Sequence, residues 1–336
     1  IRADFSAWSG GSERLTMRQV GHLERMSEIT GQQAAVLGLI GQFMVHQIKN
    51  DQGHEPAFNL EELLERLQAL PQMRVHFLTA MKELTADTTF ENKLSLYGQV
   101  GRPSMDGIHQ AGIGDCFALS AIESVLNCRG PGFIESLIQE TGYNQFLVSL
   151  PGAEPLTIKL TQAEIAQGNV DPGNGCWLQL LGIAIDRLKA EHRHASRSKV
   201  KRIKDHQLTE TPLEVLAVGG SQHMVFHWLT NDRYTLVRHR SETWNQNYVA
   251  GILNRAALQK IPLGVNTPEH CLSILGWNPD TQIVTVMNPW GTSGSYAPNG
   301  TEKFKMNDGV FSLSLDQLLQ FFSSLSVPVQ LCGANC

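Results

Sequence analysis

One cysteine in this chain has chemically useful neighbours. Gln110-Ala111-Gly112-Ile113-Gly114-Asp115-Cys116 runs directly into the apolar stretch Phe117 to Ile122, so Cys116 stands where a glycine-rich turn becomes a helix. Far downstream are His270 and the string Asn288-Pro289-Trp290-Gly291. A thiol, an imidazole, an amide that can orient the imidazole and a second amide that can bind an oxyanion are the parts of a thiol hydrolase. The thiol attacks as thiolate, and its ordinary pKa of ~8.5 must fall for that. A helix N-terminus and a neighbouring imidazolium both lower it. Gly112 and Gly114 permit the tight turn and Asp115 is placed to cap the helix. Cys116, His270 and Asn288 are therefore the expected catalytic residues. Gln110 and the Cys116 backbone N–H are the expected oxyanion donors, with Trp290 as a shield over the imidazole–amide hydrogen bond.

The elements that must position these groups are legible in part. His270 precedes the strand-like run Cys271 to Trp277, and Asn288 follows a second run, Gln282 to Met287. The turn residues Asn278-Pro279-Asp280-Thr281 join them, so a hairpin would bring His270 and Asn288 side by side. Apolar spacing predicts helices from Cys116 to Leu126 and from Trp177 to Leu188, with a strand pair at 146–150 and 156–160 between them and a further strand at 234–237. Residues 15–96 read as helical throughout, including 59–67, 75–81 and a core helix over Ala35 to Ile48, after a loose polar start. The loop 98–107 marks a boundary.

The chain of 336 residues, 42% apolar and 18% charged, is an ordinary globular sequence long enough for two or three domains. With 27 basic and 32 acidic residues its formal charge is −5, which gives no general attraction to nucleic acid. The Ala35 to Ile48 stretch is shorter than the ~20 residues of a membrane span. The chain begins at Ile1, so the expectation is a fragment from which a targeting segment could have been removed. Six cysteines without dense spacing or a CxxC pair predict reduced thiols in an intracellular compartment, the pair Cys332 and Cys336 being the possible exception. Cys128, Cys176 and Cys271 read as small core residues.

With those residues in view, the chain resembles the protease core of calpains, a papain-like fold. The carriers are the Gln110 to Cys116 motif, Asn288 to Gly291, Trp177-Leu178-Gln179-Leu180-Leu181 with Ala184 and Leu188, and Leu213-Glu214-Val215-Leu216 leading to Gly219-Gly220. Asp308-Gly309-Val310-Phe311 with Ser314 and Phe321-Phe322 complete the set, in family order, over about 106–327. The resemblance implies a two-lobed α+β core, a helical catalytic lobe with the cysteine (101–222) and a β-rich lobe with His270 and Asn288 (223–336), which follows the N-terminal helical domain (1–100) that the apolar spacing predicts. It also implies a cysteine endopeptidase acting on protein substrates. The chain departs from the family at Phe117, at Glu269 and by one extra residue before Gln110. Where calcium-binding carboxylates are expected it has Thr292 to Tyr296 and Val310, so activity without calcium and no cofactor are expected.

The same residues admit other readings. The same thioester chemistry serves glutamine deamidation or transamidation, and a protein-binding scaffold would retain the fold without using it. The first hundred residues resemble nothing recognised and are candidates for binding a regulator or a substrate, or for targeting if the protein is an effector delivered into a host cytosol. His223 and His227 have the helical spacing of zinc proteases but lack the glutamate, and sit in an expected strand or loop. The basic run from Arg193 to Lys204 reads as a solvated loop.

Overall fold

The computed structural model describes residues 2–24, 26, 28–29, 31–48, 57–61, 65, 94–110, 115–167, 175–197, 219–298, 300 and 302–332. It is a mixed α+β protein whose helices and antiparallel strands surround two hydrophobic clusters.

The first cluster is organised by helix α4 (Cys116–Arg129), every residue of which from Cys116 to Leu126 is buried. Gly130, with φ of 75°, closes the helix by donating to the Leu126 carbonyl, and Pro131 begins α5 (Pro131–Ser136). A three-stranded antiparallel sheet, β3 (Ile138–Gly142), β4 (Gln145–Val148) and β5 (Leu156–Lys159), packs beside them. After α6 (Gln162–Gln167) come α7 (Trp177–Arg197) and α8 (Gln222–Thr230), which complete this cluster around Phe117, Ile122, Trp177 and Phe226.

The second cluster lies on one face of a six-stranded antiparallel sheet of order β12-β9-β8-β7-β13-β6. Its strands are β6 (Tyr234–Arg238), β7 (Leu263–Asn266), β8 (Cys271–Asn278), β9 (Ile283–Met287), β12 (Val310–Ser314) and β13 (Ser324–Pro328). Strand β13 alternates: Leu325 and Val327 enter the cluster, while Ser324 and Ser326 face the opposite way. Helix α9 (Gln246–Gln259) is capped by the Asn245 side chain, and α10 (Leu315–Phe321) by a Ser314–Gln317 capping box; both cover the apolar face. The ribbon β10 (Gly294–Tyr296) and β11 (Phe304–Met306) adds Tyr296, Phe304 and Met306 to it.

At the amino end, α1 (Arg2–Trp8), β1 (Arg14–Thr16), α2 (Met17–Glu24), α3 (Gly31–Ile48) and β2 (Ala57–Asn59) are present. The loose start is thus a helix, and the all-helical reading of 15–96 is corrected by the pairing of β1 with β2. Isolated two-stranded ribbons leave too few alternating residues to register as a pattern. The helices expected at 59–67 and 75–81 lie mostly or wholly outside the described residues. This unit reaches the rest of the chain at α6, where the Gly31 N–H donates to the Gln162 side chain and the Thr161 hydroxyl to the Glu24 carbonyl. Arg193 and Arg197 continue α7, so the basic run is not a loop there; 198–204 are outside the described residues, as is the Leu213 to Leu216 passage. Among the described residues no helix is long and apolar enough to cross a membrane.

Candidate active site

Strand β8 sets the site. It pairs with β9, with Ser273 opposite Met287 and a bulge between Ile274 and Gly276, and the Asn278 side chain closes the turn by accepting from the Asp280 and Thr281 N–H groups. On its other side β8 pairs with β7 through a tight connection in which the Thr267 N–H donates to the His270 carbonyl and the His270 N–H to the Thr267 hydroxyl. His270 is fixed at the mouth of one hairpin and Asn288 at the end of the next. Their side chains meet, His270 Nε2 lying 2.9 Å from Asn288 Oδ1.

Asn288 is fully buried and leaves its partner no choice. Its Oδ1 also accepts from the Trp290 N–H (3.1 Å), and its amide nitrogen donates to the Met306 sulfur (3.7 Å). Oδ1 accepts from His270, so Nε2 carries a hydrogen in either charge state and Nδ1 is the nitrogen left to take up or release a proton. The Trp290 ring lies over the imidazole with centroids 4.9 Å apart, and Tyr296 closes a third side at 5.9 Å from His270. The turn that makes this possible needs glycine. Gly291 has φ of 63°, and a Cβ there would lie 1.8 Å from His109 Nδ1.

Cys116 is the first residue of α4, nine-tenths buried. Its thiol is held far below the ordinary range, at about 4. A hydrogen bond from the Cys271 thiol lowers it most; burial opposes this, and the hydrogen bond and charge of His270 act in the same sense as Cys271. Cys271 is pushed upward in turn by that hydrogen bond and by burial. Cys128 and Cys176, by contrast, are raised by burial to about 11 and about 12 and stay protonated. The core reading of Cys271 holds in part: it is half-buried and packs against the first cluster, and it also lines the cleft beside Cys116. The signal was its place directly after His270, where a strand begins on the helix-facing side.

Asp115 occupies the N-cap position, but its side chain makes no capping hydrogen bond; only its carbonyl receives the Ala118 and Leu119 N–H groups. The glycine turn at 111–114 lies outside the described residues. Gln110 lines the cleft with Cys116 and is tied to the opposite wall, its N–H donating to the Pro289 carbonyl at 2.6 Å. His223 and His227 sit in helix α8 rather than a strand or loop; His223 faces the cleft, while His227 Nδ1 is 3.0 Å from the Asp232 carbonyl. Among the described residues no three His, Cys, Asp or Glu side chains are grouped to hold a metal ion. At the Thr292 to Tyr296 segment the Ser293 hydroxyl instead donates to Asp308 Oδ1, 3.1 Å away.

The cleft measures 1270 Å³, and Cys116, His270, Gln110 and Trp290 are among the residues that line it. Gln222, missed by sequence reasoning because one polar residue in an apolar helix carries no pattern, braces α4 against β8 by donating to the Ser120 hydroxyl (2.6 Å) and the Leu272 carbonyl (3.0 Å). A buried thiol held ionised beside an oriented imidazole can attack an acyl carbon, and the imidazole can deliver a proton to what leaves. No protein-family model and no curated protein matches the chain.

Proposed function

We propose that this cleft is the active site of a cysteine endopeptidase with a papain-like, calpain-type core, its helical lobe carrying Cys116 and its β-rich lobe carrying His270 and Asn288. The observation that carries the reading is the His270 Nε2 to Asn288 Oδ1 contact of 2.9 Å in a cleft that Cys116 and His270 line together. The Cys116 sulfur attacks a peptide carbonyl carbon, and the oxygen takes the negative charge near the Cys116 N–H and Gln110. His270, protonated at Nδ1, gives that proton to the departing amine. Water then gives a proton back to Nδ1 as its oxygen attacks the thioester, and the acid product leaves with Cys116 as thiolate again. Each well-placed oxyanion donor contributes about 2.7–4 kcal/mol.

Cys116→Ala abolishes cleavage of a denatured protein substrate while the variant still melts cooperatively; turnover by that variant removes the proposal. Brief iodoacetamide treatment at about pH 5 labels Cys116 far ahead of Cys128 and Cys176, since a thiol near its ordinary pKa is protonated there. Calcium is not required: Ser293, bonded to Asp308, stands where a carboxylate ligand would be needed. A calcium titration of the chelator-treated protein leaves the cleavage rate flat, and a rise with calcium contradicts this. Transfer to an amine or deamidation uses the same thioester and is told apart by product: a partner gaining about one dalton, uncut, marks deamidation.

A further inference from the structure

The sheet face that floors the cleft is built of small polar groups. Asn266 of β7 stands opposite Cys271 of β8 and opposite Ser324 of β13, and Ser324 stands opposite Arg238 of β6. Directly opposed residues project from the same face. One row therefore leads from the thiol that touches Cys116, through Asn266 and Ser324, to a guanidinium. Asn266, Ser324 and Ser326 line the cleft and are at least nine-tenths buried. The Asn266 amide nitrogen donates to Ser326 Oγ (3.1 Å) and Ser324 Oγ (3.4 Å), while its side-chain oxygen Oδ1, buried, has no hydrogen-bond partner among the described residues. Across the floor the Gln222 side chain lies on Gly264, where any Cβ would strike it, and Gln222 Oε1 is likewise buried without a hydrogen-bond partner among the described residues.

Two orphaned carbonyl oxygens in one cleft each cost about 1–3 kcal/mol while nothing donates to them. A substrate group that fills this space must therefore carry N–H or O–H donors. Cationic side chains find no carboxylate among these floor residues and meet Arg238 at the end of the row; the carboxylate that lines the cleft, Glu269, belongs to the loop before His270 and not to this floor. Carboxylates are disfavoured because they bring only acceptors to acceptors. A neutral carboxamide satisfies the site, donating to the open oxygens and accepting from a serine hydroxyl. It does so whichever way the Asn266 amide is turned.

We propose that the Asn266–Ser324–Ser326 floor, with Gln222, is a substrate subsite for the carboxamide side chain of a glutamine or asparagine near the cleaved bond. This rests on the endopeptidase reading and names the substrate class of that cleft. A site built to hydrogen-bond a group discriminates strongly against the analogue lacking it, because its own polar atoms are then left bare.

The test uses the full chain and a fluorogenic peptide library varied at each of four positions on both sides of the cleaved bond. At one position glutamine or asparagine gives a kcat/KM at least tenfold above leucine and above glutamate. Asn266→Leu reduces that ratio to below twofold. If Asn266→Leu fails to fold, Ser326→Ala, a smaller change, lowers the same ratio at least threefold with an unaltered melting temperature. Equal cleavage of glutamine and leucine peptides at every position, with Cys116 still alkylating rapidly, overturns the subsite and leaves the endopeptidase reading standing. A Cys116 that does not alkylate ahead of the other thiols removes the parent reading instead. Conversion of the glutamine to glutamate without chain cleavage also overturns the subsite, because the carboxamide is then the reacting group.

Discussion

Cys271 changes how the nucleophile is activated. A helix N-terminus and an imidazolium are the usual devices, and the sequence supplies both, yet the largest influence on Cys116 is a thiol hydrogen bond from the residue next to His270. A hydrogen bond to a charged group is worth about 1.5–3 kcal/mol, or about one to two pKa units. Cys271→Ala should therefore move the midpoint of iodoacetamide alkylation of Cys116 upward from about 4 by that amount, with Cys271→Ser lying between. Peptide mapping of alkylation rates from pH 4 to 9 reads it directly. An unchanged midpoint would return the whole effect to His270 and the helix. His270 and Asn288 were legible as a pair because each abuts a strand-like run. Cys271 was passed over because a single cysteine with apolar neighbours is ordinarily a core residue, and its partner lies 155 positions away in sequence.

The hairpins of β7, β8 and β9 do the positioning, and what could be read of them followed from alternation and turn chemistry. Strands β8 and β9 and the Asn278 turn stand in the sequence plainly. Strand β13 does not: Ser324-Leu325-Ser326-Val327-Pro328 is buried on both faces, and its two serines resemble a loop until the cleft floor explains them. Helix α9 was missed as well, since Asn247, Gly251 and Asn254 interrupt its apolar stripe. At the far end of β9 the constraint is steric. Gly291 occupies positive φ, with His109 filling the space where a side chain would start. Gly291→Ala should cost about 1–3 kcal/mol, through strain and the displaced imidazole. It should also lower kcat more than it raises KM, because the turn carries Asn288 and Trp290 and not the cleft floor. Denaturant melts and initial rates on one peptide measure both; a variant with lowered stability and full kcat would show that the turn does not hold the catalytic amide.

Across the whole molecule, the two clusters are joined by a buried polar seam along α4 and β8, and its protonation sets a pH dependence. Ser273 Oγ is hydrogen-bonded to the Ser120 carbonyl, 2.9 Å away, and to the Glu123 carboxyl. One hydroxyl carries one hydrogen, which the Ser120 carbonyl and the Glu123 carboxyl compete to accept, so the Ser273 hydrogen bond lowers Glu123 only in part against its burial. Glu123 is fully buried and its pKa is raised well above the carboxylate range, chiefly by burial. Asp186, also buried, is raised for the same reason, and among the described residues neither of its side-chain oxygens has a hydrogen-bond partner. A folded-state pKa above the unfolded value of about 4.3 contributes stability that is complete below that pH and lost as pH rises toward the folded pKa. Cys116, lowered to about 4, acts in the opposite sense: its contribution is present above the unfolded thiol pKa and disappears as pH falls through 4. Comparing Glu123→Gln with the parent isolates the carboxyl, because the amide keeps a donor for Ser273 and cannot ionise. The melting temperature of the variant minus that of the parent should be near zero or negative at pH 4 and should grow steadily to pH 8. Alkylating Cys116 in both proteins beforehand removes the thiolate from the comparison, and the difference should persist. A flat difference across that range would mean that the seam between the helical and sheet clusters holds a charged Glu123 that accepts from the Ser273 hydroxyl.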